Sequence, residues 1–454
     1  MVNSRINAVL NRTDKKILAL AIPMILSNIT VPLLGLVDTA VIGHLPEAYY
    51  LGGSTVGAMI ITFVTWLCGF LRMSTTGLSA QALGKADAQE SLVVLFRGIT
   101  VAFIIGITLI VLQSPYISFA LSLAGGSEEV QFYAEEYAQI RVWGLPAALA
   151  NIVILGWLLG QHKAKAVMWL LIATNLINLV LDLLFVLVFD WKVAGVATAT
   201  VIAEYSGFII AIAIVRYGKV LARTQAIIFS AIKSKIFDLK ELGKYFRLNR
   251  DILVRTLCLE LCFVFMTFKG ARLGDDIVAA NAILMNFLLL ISFGLDGIAN
   301  AAEALIGKAH GERASGKMES DDNRSFRYII SRCTLWTLGF AFVYTLLFLL
   351  AGEVLVSLMT DISVVRETAL TYLPWLIVLP LLGCWCYLYD GIYVGMTRAD
   401  IMRNSMLIAT FALFFPLWFV FSSFENHGLW LAFSGFMIAR GATLGWHLYR
   451  RVLV

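Results

Sequence analysis

Long apolar runs, separated by short and unequally charged connections, constrain this chain more than any other feature. A helix needs about 20 apolar residues to cross the hydrocarbon of a bilayer. Runs near that length fall at 17–42, 51–82, 92–113, 132–160, 166–189 and 194–215, and again at 251–271, 277–306, 326–350, 367–396, 402–422 and 428–449. Several are longer than the bilayer requires, which predicts tilt or extension beyond it. Only 14% of residues are charged and 60% are hydrophobic, whereas an ordinary soluble domain is roughly 25% charged. The expected fold is all-α, a polytopic membrane protein with 12 transmembrane helices. The first residues are polar and basic, without a short apolar stretch and small-residue cleavage site, so the first span is expected to stay in the mature protein.

Lysine and arginine set the orientation. Of 35 such residues, 26 lie in the N-terminus, the even-numbered loops with the span ends beside them, and the C-terminus, and four (Lys192, Lys269, Arg272 and Arg366) lie in or beside the odd-numbered loops. Basic residues accumulate on the cytoplasmic side. The pattern fits a multi-pass protein of the inner (plasma) membrane with both termini cytoplasmic, and a missed span would scramble it. The net charge of +5 is explained by topology, and no nucleic acid partner is expected. A basic linker, 219–250, separates 1–218 from 251–454, giving two bundles of six spans. Its FDLKELGKYFRLNR stretch reads as an amphipathic helix lying on the inner leaflet. All six cysteines sit in apolar runs and read as packing residues.

The two halves resemble each other. GWLLGQHKA at 156–164 aligns with GIYVGMTRA at 391–399, sharing G-x-x-x-G-x-x-[basic]-A, and AQALGKA at 80–86 matches EALIGKA at 303–309. Leu171–Thr174 recurs as Leu407–Thr410, and Pro146 corresponds to Pro380. A six-span unit enters and leaves on the same side, so this is a parallel internal repeat. Two similar bundles facing each other are transporter architecture.

Ionisable side chains at membrane depth cost roughly 2.5–3.5 kcal/mol each on insertion scales, so each invites a functional question. The apolar spans hold Asp38, Asp182, Glu204, Glu260, Asp296, Glu303 and Asp390, with Arg72, Arg141, Arg255, Arg332 and Arg440. Arg332 is expected to snorkel toward the cytoplasm. Asp296, Asn300 and Glu303 form one stripe at i, i+4 and i+7 on the eighth span, and Arg255 is the basic residue nearest in sequence that could pair with it. Asn175, Asn178 and Asp182 form another face at i, i+3 and i+7 on the fifth span. Asp38 lies deep in the first, downstream of Pro23 and Pro32, which remove backbone hydrogen bonds and let that helix bend. Two carboxylates close together in low dielectric do not both ionise readily. They would share a proton, or bind Na⁺ with help from Asn and Thr oxygens.

At these residues the chain resembles the multidrug and toxic compound extrusion (MATE) family, most nearly its DNA-damage-inducible F (DinF-like) branch. The likeness runs through ALAIPMILSNITVPLLGLVDTAVIGHL at 19–45, FLRMSTTGLSAQALG at 70–84, GWLLG at 156–160, GVATATVIAEY at 195–205, LNRDILVRTL at 248–257 and YDGIYVGMTRADIMRNSM at 389–406. The resemblance implies two six-helix bundles arranged as a V, and export in exchange for H⁺ or Na⁺. It implies a cation-coupling site of Asp38, Asn178, Asp182 and Thr200, the same residues being those that would hold Na⁺, with Pro23 as hinge. Tyr137 and Asn151, with Asn175, would line the same cavity. Arg255, Glu260, Asp296, Glu303 and Asp390 are polar candidates in the second bundle, Glu260 without a matching motif.

The expected function is therefore multidrug efflux by secondary active antiport. Amphipathic or cationic small compounds would leave in exchange for H⁺, with Na⁺ as the alternative ion. No cofactor is expected, and the working form is a monomer in the lipid bilayer. There is no H-E-x-x-H, P-loop or dinucleotide fingerprint, so an enzyme is not expected. The alternatives are a flippase for lipids or lipid-linked oligosaccharides from the same superfamily, and a signalling or channel-like membrane protein that does not transport.

Overall fold

The computed structural model describes residues 12–30, 42, 47–124, 127–217, 238–316 and 323–450. Among these residues all regular structure is helical, as the apolar runs require. Nine of the described helices are long and apolar enough to cross a membrane. The predicted seventh and twelfth spans are helical too, within Leu239–Leu273 and Glu425–Leu448, but are more polar. The chain divides into two compact units: Leu26–Tyr245 (the first unit), and the segment up to Ile25 together with Phe246–Val454 (the second).

Helix α1 (12–30) contributes to both units. The first unit then holds α2 (Ala48–Leu67), α3 (Phe70–Lys85), α4 (Ala88–Val111), α5 (Gln113–Ala124), α6 (Glu128–Arg141), α7 (Leu145–Gly160), α8 (Ala164–Asp182) and α9 (Lys192–Tyr217). Capping follows local chemistry: the Asp87 carboxylate accepts the Glu90 N–H at 2.8 Å to start α4, and the Ser127 hydroxyl accepts the Val130 N–H to start α6. The predicted fourth span is two helices joined by a 3₁₀ turn, Val142–Gly144. Pro146, in the first turn of α7, has no N–H to continue α6 but needs none at that position. Helix α5, within a predicted loop, buries only Ile117 and Leu121 and leaves Phe119 and Leu123 exposed.

The second unit holds α10 (Leu239–Leu273) from Phe246 onward, α11 (Asp275–Ala314), α12 (Asn323–Met359), α13 (Ser363–Gly395), α14 (Ala399–Leu407), α15 (Phe415–Val420) and α16 (Glu425–Leu448), with a π-helical stretch, Ile408–Phe414, between α14 and α15. The basic stretch expected to form a separate surface helix is instead the opening of α10. No proline interrupts it, so the helix runs on into the seventh span; Tyr245 is buried there while Phe246 is exposed.

The sequence repeat corresponds to a repeated helix crossing. A Cβ added to Gly156 of α7 would lie 2.5 Å from the Arg72 carbonyl oxygen of α3, and one on Gly160 would lie 2.6 Å from that of Thr76. In the second unit a Cβ on Gly395 of α13 would lie 2.5 Å from the Glu303 carbonyl oxygen of α11, and one on Gly391 would collide with that of Ala299. Each G-x-x-x-G thus lets two backbones approach where only glycine fits. Polar side chains fasten the first crossing: Trp157 Nε1 donates to Ser91 Oγ at 3.0 Å, and Gln161 Nε2 donates to the hydroxyls of Ser79 and Ser91, each at 2.9 Å.

Arg332 does not snorkel freely. Its guanidinium grips the Asp14 carboxylate of α1 through two bonds of 2.8 and 2.7 Å, and Trp336 Nε1 donates to the same carboxylate at 3.1 Å. The sequence places Asp14 just ahead of the first apolar run and gives no sign of this partner. The paired guanidinium holds the Asp14 carboxyl below the usual carboxylate range. A depressed carboxylate stabilises the fold above its unfolded pKa, and that contribution is lost as pH falls through the folded value. Amide exchange protection of 12–25 is therefore expected to stay level from neutral pH to about pH 5 and to fall only in stronger acid, whereas Arg332→Gln should weaken it at neutral pH. Equal protection in both proteins at neutral pH would refute the clamp.

The glycine crossings predict a second outcome. Gly156→Leu and Gly391→Leu should each destabilise the detergent-solubilised protein by about 1–3 kcal/mol or more through overpacking, read as a drop in thermal midpoint. Gly339→Leu, where a Cβ meets nothing within 4 Å, is the control and should leave the midpoint unchanged.

Candidate functional site

The polar face predicted on the fifth span is formed by α8. Asn178 and Asp182, 1% and 0% exposed, are joined by a 2.5 Å hydrogen bond from Asn178 Nδ2 to Asp182 Oδ2. The four-residue spacing on one helix brings the two together. A carboxylate excluded from water needs a donor, a proton or a cation to offset its charge; Asn178 supplies one donor. The oxygen of that amide, Asn178 Oδ1, accepts no bond from the described residues. Asp182 also closes the α-helical part of the span, and Leu183–Val188 continue it as a π-helix. Such departures recur at functional sites because they re-aim side chains.

Asn175, one turn earlier, reaches another helix: its Nδ2 donates to the Thr30 hydroxyl of α1 at 3.0 Å, and Thr30 in turn donates to the Ser27 carbonyl at 2.7 Å. The α8 face is therefore bonded to the stretch of α1 that leads toward Asp38. Asp38 and Pro32 lie outside the described residues. Pro23 is buried within α1, two residues before the point where that helix passes from one unit to the other.

The remaining first-half candidates divide. Thr200 spends its hydroxyl on the Val196 carbonyl of its own helix at 2.9 Å. Asn151 joins α7 to α9, its Nδ2 donating to the Glu204 carbonyl at 2.8 Å. Tyr137, 6% exposed, does line a cavity, of about 400 Å³, with Thr55 and Thr62 of α2 and Val196 of α9. Its walls include Met59, Phe63 and Trp66, so it combines hydroxyls with apolar and aromatic surface. One turn beyond Tyr137, Arg141 forms an ion pair with Glu204 at 2.9 Å, both largely buried. That pair and the cavity were not deduced from sequence. Opposite charges on two apolar spans were the available signal for the pair; nothing in the spacing along the chain marked the cavity.

In the second unit Asp390 accepts from two guanidiniums, that of half-buried Arg255 through Nη2 at 2.5 Å and that of buried Arg440 through Nη2 at 2.7 Å. The expected partnership of Arg255 with the Asp296 stripe is thus corrected: Arg255 of α10 is spent on Asp390 of α13, a neighbour in space 135 residues away in sequence. Glu303 is buried, while Asp296 on the same helix and Glu260 on α10 are half-buried. All six cysteines are buried and unbridged.

The MatE family model matches the chain twice, over residues 23–184 and 252–420. The chain belongs to the MatE family. One match falls in each half, where the internal repeat lies. The DNA damage-inducible protein F of Escherichia coli (strain K12) is 43% identical over 440 residues, 96% of this chain and 92% of the relative. A probable multidrug resistance protein NorM of Rhizobium meliloti (strain 1021) is 25% identical over 454 residues, 95% and 92% of the two chains. A multidrug resistance MATE family transporter of the MOP superfamily, solved in an outward-facing conformation, superposes with a TM-score of 0.83 over 96% of both chains at 19% identity. The expected all-α, MATE-type fold is therefore present, and the chain is a multi-pass member of a membrane transporter family.

The Asp390 triad yields a stability test. Removing one member of a buried ion cluster strands the others, at a cost of about 3–5 kcal/mol. Asp390→Ala and Arg440→Met should each lower the thermal midpoint accordingly, and the triple variant Arg255→Met, Asp390→Leu, Arg440→Met should recover most of the loss. Single variants as stable as the parent would show that the cluster is dispensable.

Proposed function

We propose that this MatE-family transporter exports amphipathic, often cationic, small organic compounds from the cytoplasm by antiport with H⁺, Na⁺ being the alternative ion. The observation that carries this reading is the buried Asn178–Asp182 pair, with an amide oxygen left over, in an otherwise apolar helix bonded to α1. A carboxylate held this way exchanges one compensating charge for another at low cost, which is what a coupling ion must do. Asp38 supplies the second carboxylate and Thr200 a further oxygen.

A proton arriving from outside neutralises Asp38 or Asp182 and changes what the α8 face asks of its partners. The Asn175–Thr30 bond passes that change to α1, and Pro23 gives α1 a place to bend. The cavity beside Tyr137, walled by hydroxyls and by Met59, Phe63 and Trp66, suits a compound with an apolar body. The NorM relative is named as a probable multidrug resistance protein, in keeping with this substrate class. An inward-negative potential adds about 2.3 kcal/mol per charge per 100 mV to the drive. The protein works as a monomer in the inner membrane, with both termini in the cytoplasm.

Reconstituted exchange under separately imposed H⁺ and Na⁺ gradients is the test. Dye efflux should follow the H⁺ gradient, and Asp38→Asn or Asp182→Asn should each reduce it at least tenfold while membrane expression stays normal. Efflux at the parental rate in both variants would end this account, and efflux that follows only Na⁺ would transfer the site to the other ion.

A further inference from the structure

Helices α13 and α16 lie side by side and run in the same direction, and along the later part of both they leave a groove open at the surface. Its floor is Gly441, Ala442 and Gly445, and its walls include Trp385, Tyr389 and Trp446; the volume is about 480 Å³. The glycines are required by the packing: a Cβ at Gly441 would lie 3.0 Å from Trp385 Cβ, and one at Gly445 would lie 2.9 Å from Tyr389 Cε2. The Tyr389 ring and the Trp385 Cβ therefore stand against the backbone of α16, both side chains line the groove, and Trp446, 61% exposed, lies at its end. The end is fixed from beneath, where Tyr393 OH donates to the Leu444 carbonyl at 3.0 Å and contacts His447 Nδ1 at 2.9 Å.

Charge marks that end. The Arg450 guanidinium lies over the Trp446 ring, 4.1 Å from its centroid, and the sequence continues with Arg451. No charged side chain lines the groove itself. An apolar, aromatic-walled channel closed by a cation at the membrane edge is complementary to a phospholipid, with its acyl chain in the channel and its headgroup phosphate at the cation. Arginine and tryptophan are also the residues that sit at the headgroup level. With the C-terminus cytoplasmic, the orientation on which this inference rests, that edge is the inner leaflet, which carries the anionic lipid.

We propose that the α13–α16 groove is a binding site for an anionic phospholipid of the cytoplasmic leaflet, its acyl chain on the Gly441–Gly445 floor and its phosphate at Arg450. Guanidinium binds phosphate through paired hydrogen bonds; phosphatidylcholine carries the same phosphate, but its ammonium is repelled by the Arg450 cation, so the site selects by the net charge of the headgroup as well as by chain.

The purified full-length protein, mixed with equal amounts of phosphatidylglycerol and phosphatidylcholine in detergent, is examined by native mass spectrometry, a readout independent of transport. Phosphatidylglycerol should be retained at least fivefold over phosphatidylcholine. Arg450→Gln, a surface change that spares the fold, should bring the two lipids level, and Ala442→Leu, which fills the groove, should remove the retained lipid. Brominated phosphatidylglycerol should quench the parent more than Trp446→Phe, which places the chain in the groove. Equal retention of both lipids by the parent, or a preference that survives Arg450→Gln, would overturn the assignment. So would a dimer that Ala442→Leu dissolves, since the face would then belong to a second copy.

Discussion

The closeness of two backbones at the glycine crossings is the constraint on which the rest of this structure depends. In lipid the hydrophobic effect does not drive helices together, and association rests on packing and on polar contacts. Gly156 and Gly160 in one half, and Gly391 and Gly395 in the other, remove the atoms that would hold α7 off α3 and α13 off α11. Trp157 and Gln161, on the turns of α7 beside those glycines, can then reach Ser79 and Ser91 on neighbouring helices. A looser crossing would leave these donors without acceptors, in surroundings where water is not available to replace them.

The two units use buried charge differently. In the second unit Asp390 Oδ2 is held by two guanidiniums, and Asp251 is likewise held by Arg250 and Arg403 at 2.9 and 2.8 Å. Groups matched in this way lock helices together and offer little to a passing ion. In the first unit the Arg141–Glu204 pair serves the same end. On the α8 face the Asn178 amide donates to Asp182 and the Asn175 amide to the Thr30 hydroxyl, and a neutral amide orients a carboxylate without cancelling its charge.

Much of this was legible in the sequence, for identifiable reasons. Apolar run length gave the helices, because the thickness of the bilayer leaves few alternatives. The G-x-x-x-G repeat gave the internal duplication, because the same steric demand recurs in each half. The α8 face was legible because Asn175, Asn178 and Asp182 share one helix, where spacing fixes direction. Contacts between helices were not legible: Arg255 with Asp390, Arg332 with Asp14 and Arg141 with Glu204 join residues 135, 318 and 63 positions apart. Helical periodicity carries no information across such distances. The continuation of the linker's last residues, from Leu239, into the seventh span was missed for a different reason, since amphipathic character describes a surface without saying where a helix stops.

Helix α1 is the opening helix of the first repeat, yet its residues as far as Ile25 pack as part of the second unit, with Asp14 fastened to α12. A gene cut between the two repeats would therefore not yield two self-sufficient pieces. The leading fragment would carry an apolar stub evolved to cover someone else's core, and the trailing fragment would expose the surface around Gly297 on which Ala21 and Ile25 rest. The arrangement resembles a domain swap within a single chain. It ties the second half to a segment of the first, although the likeness of the two is still written in their glycines.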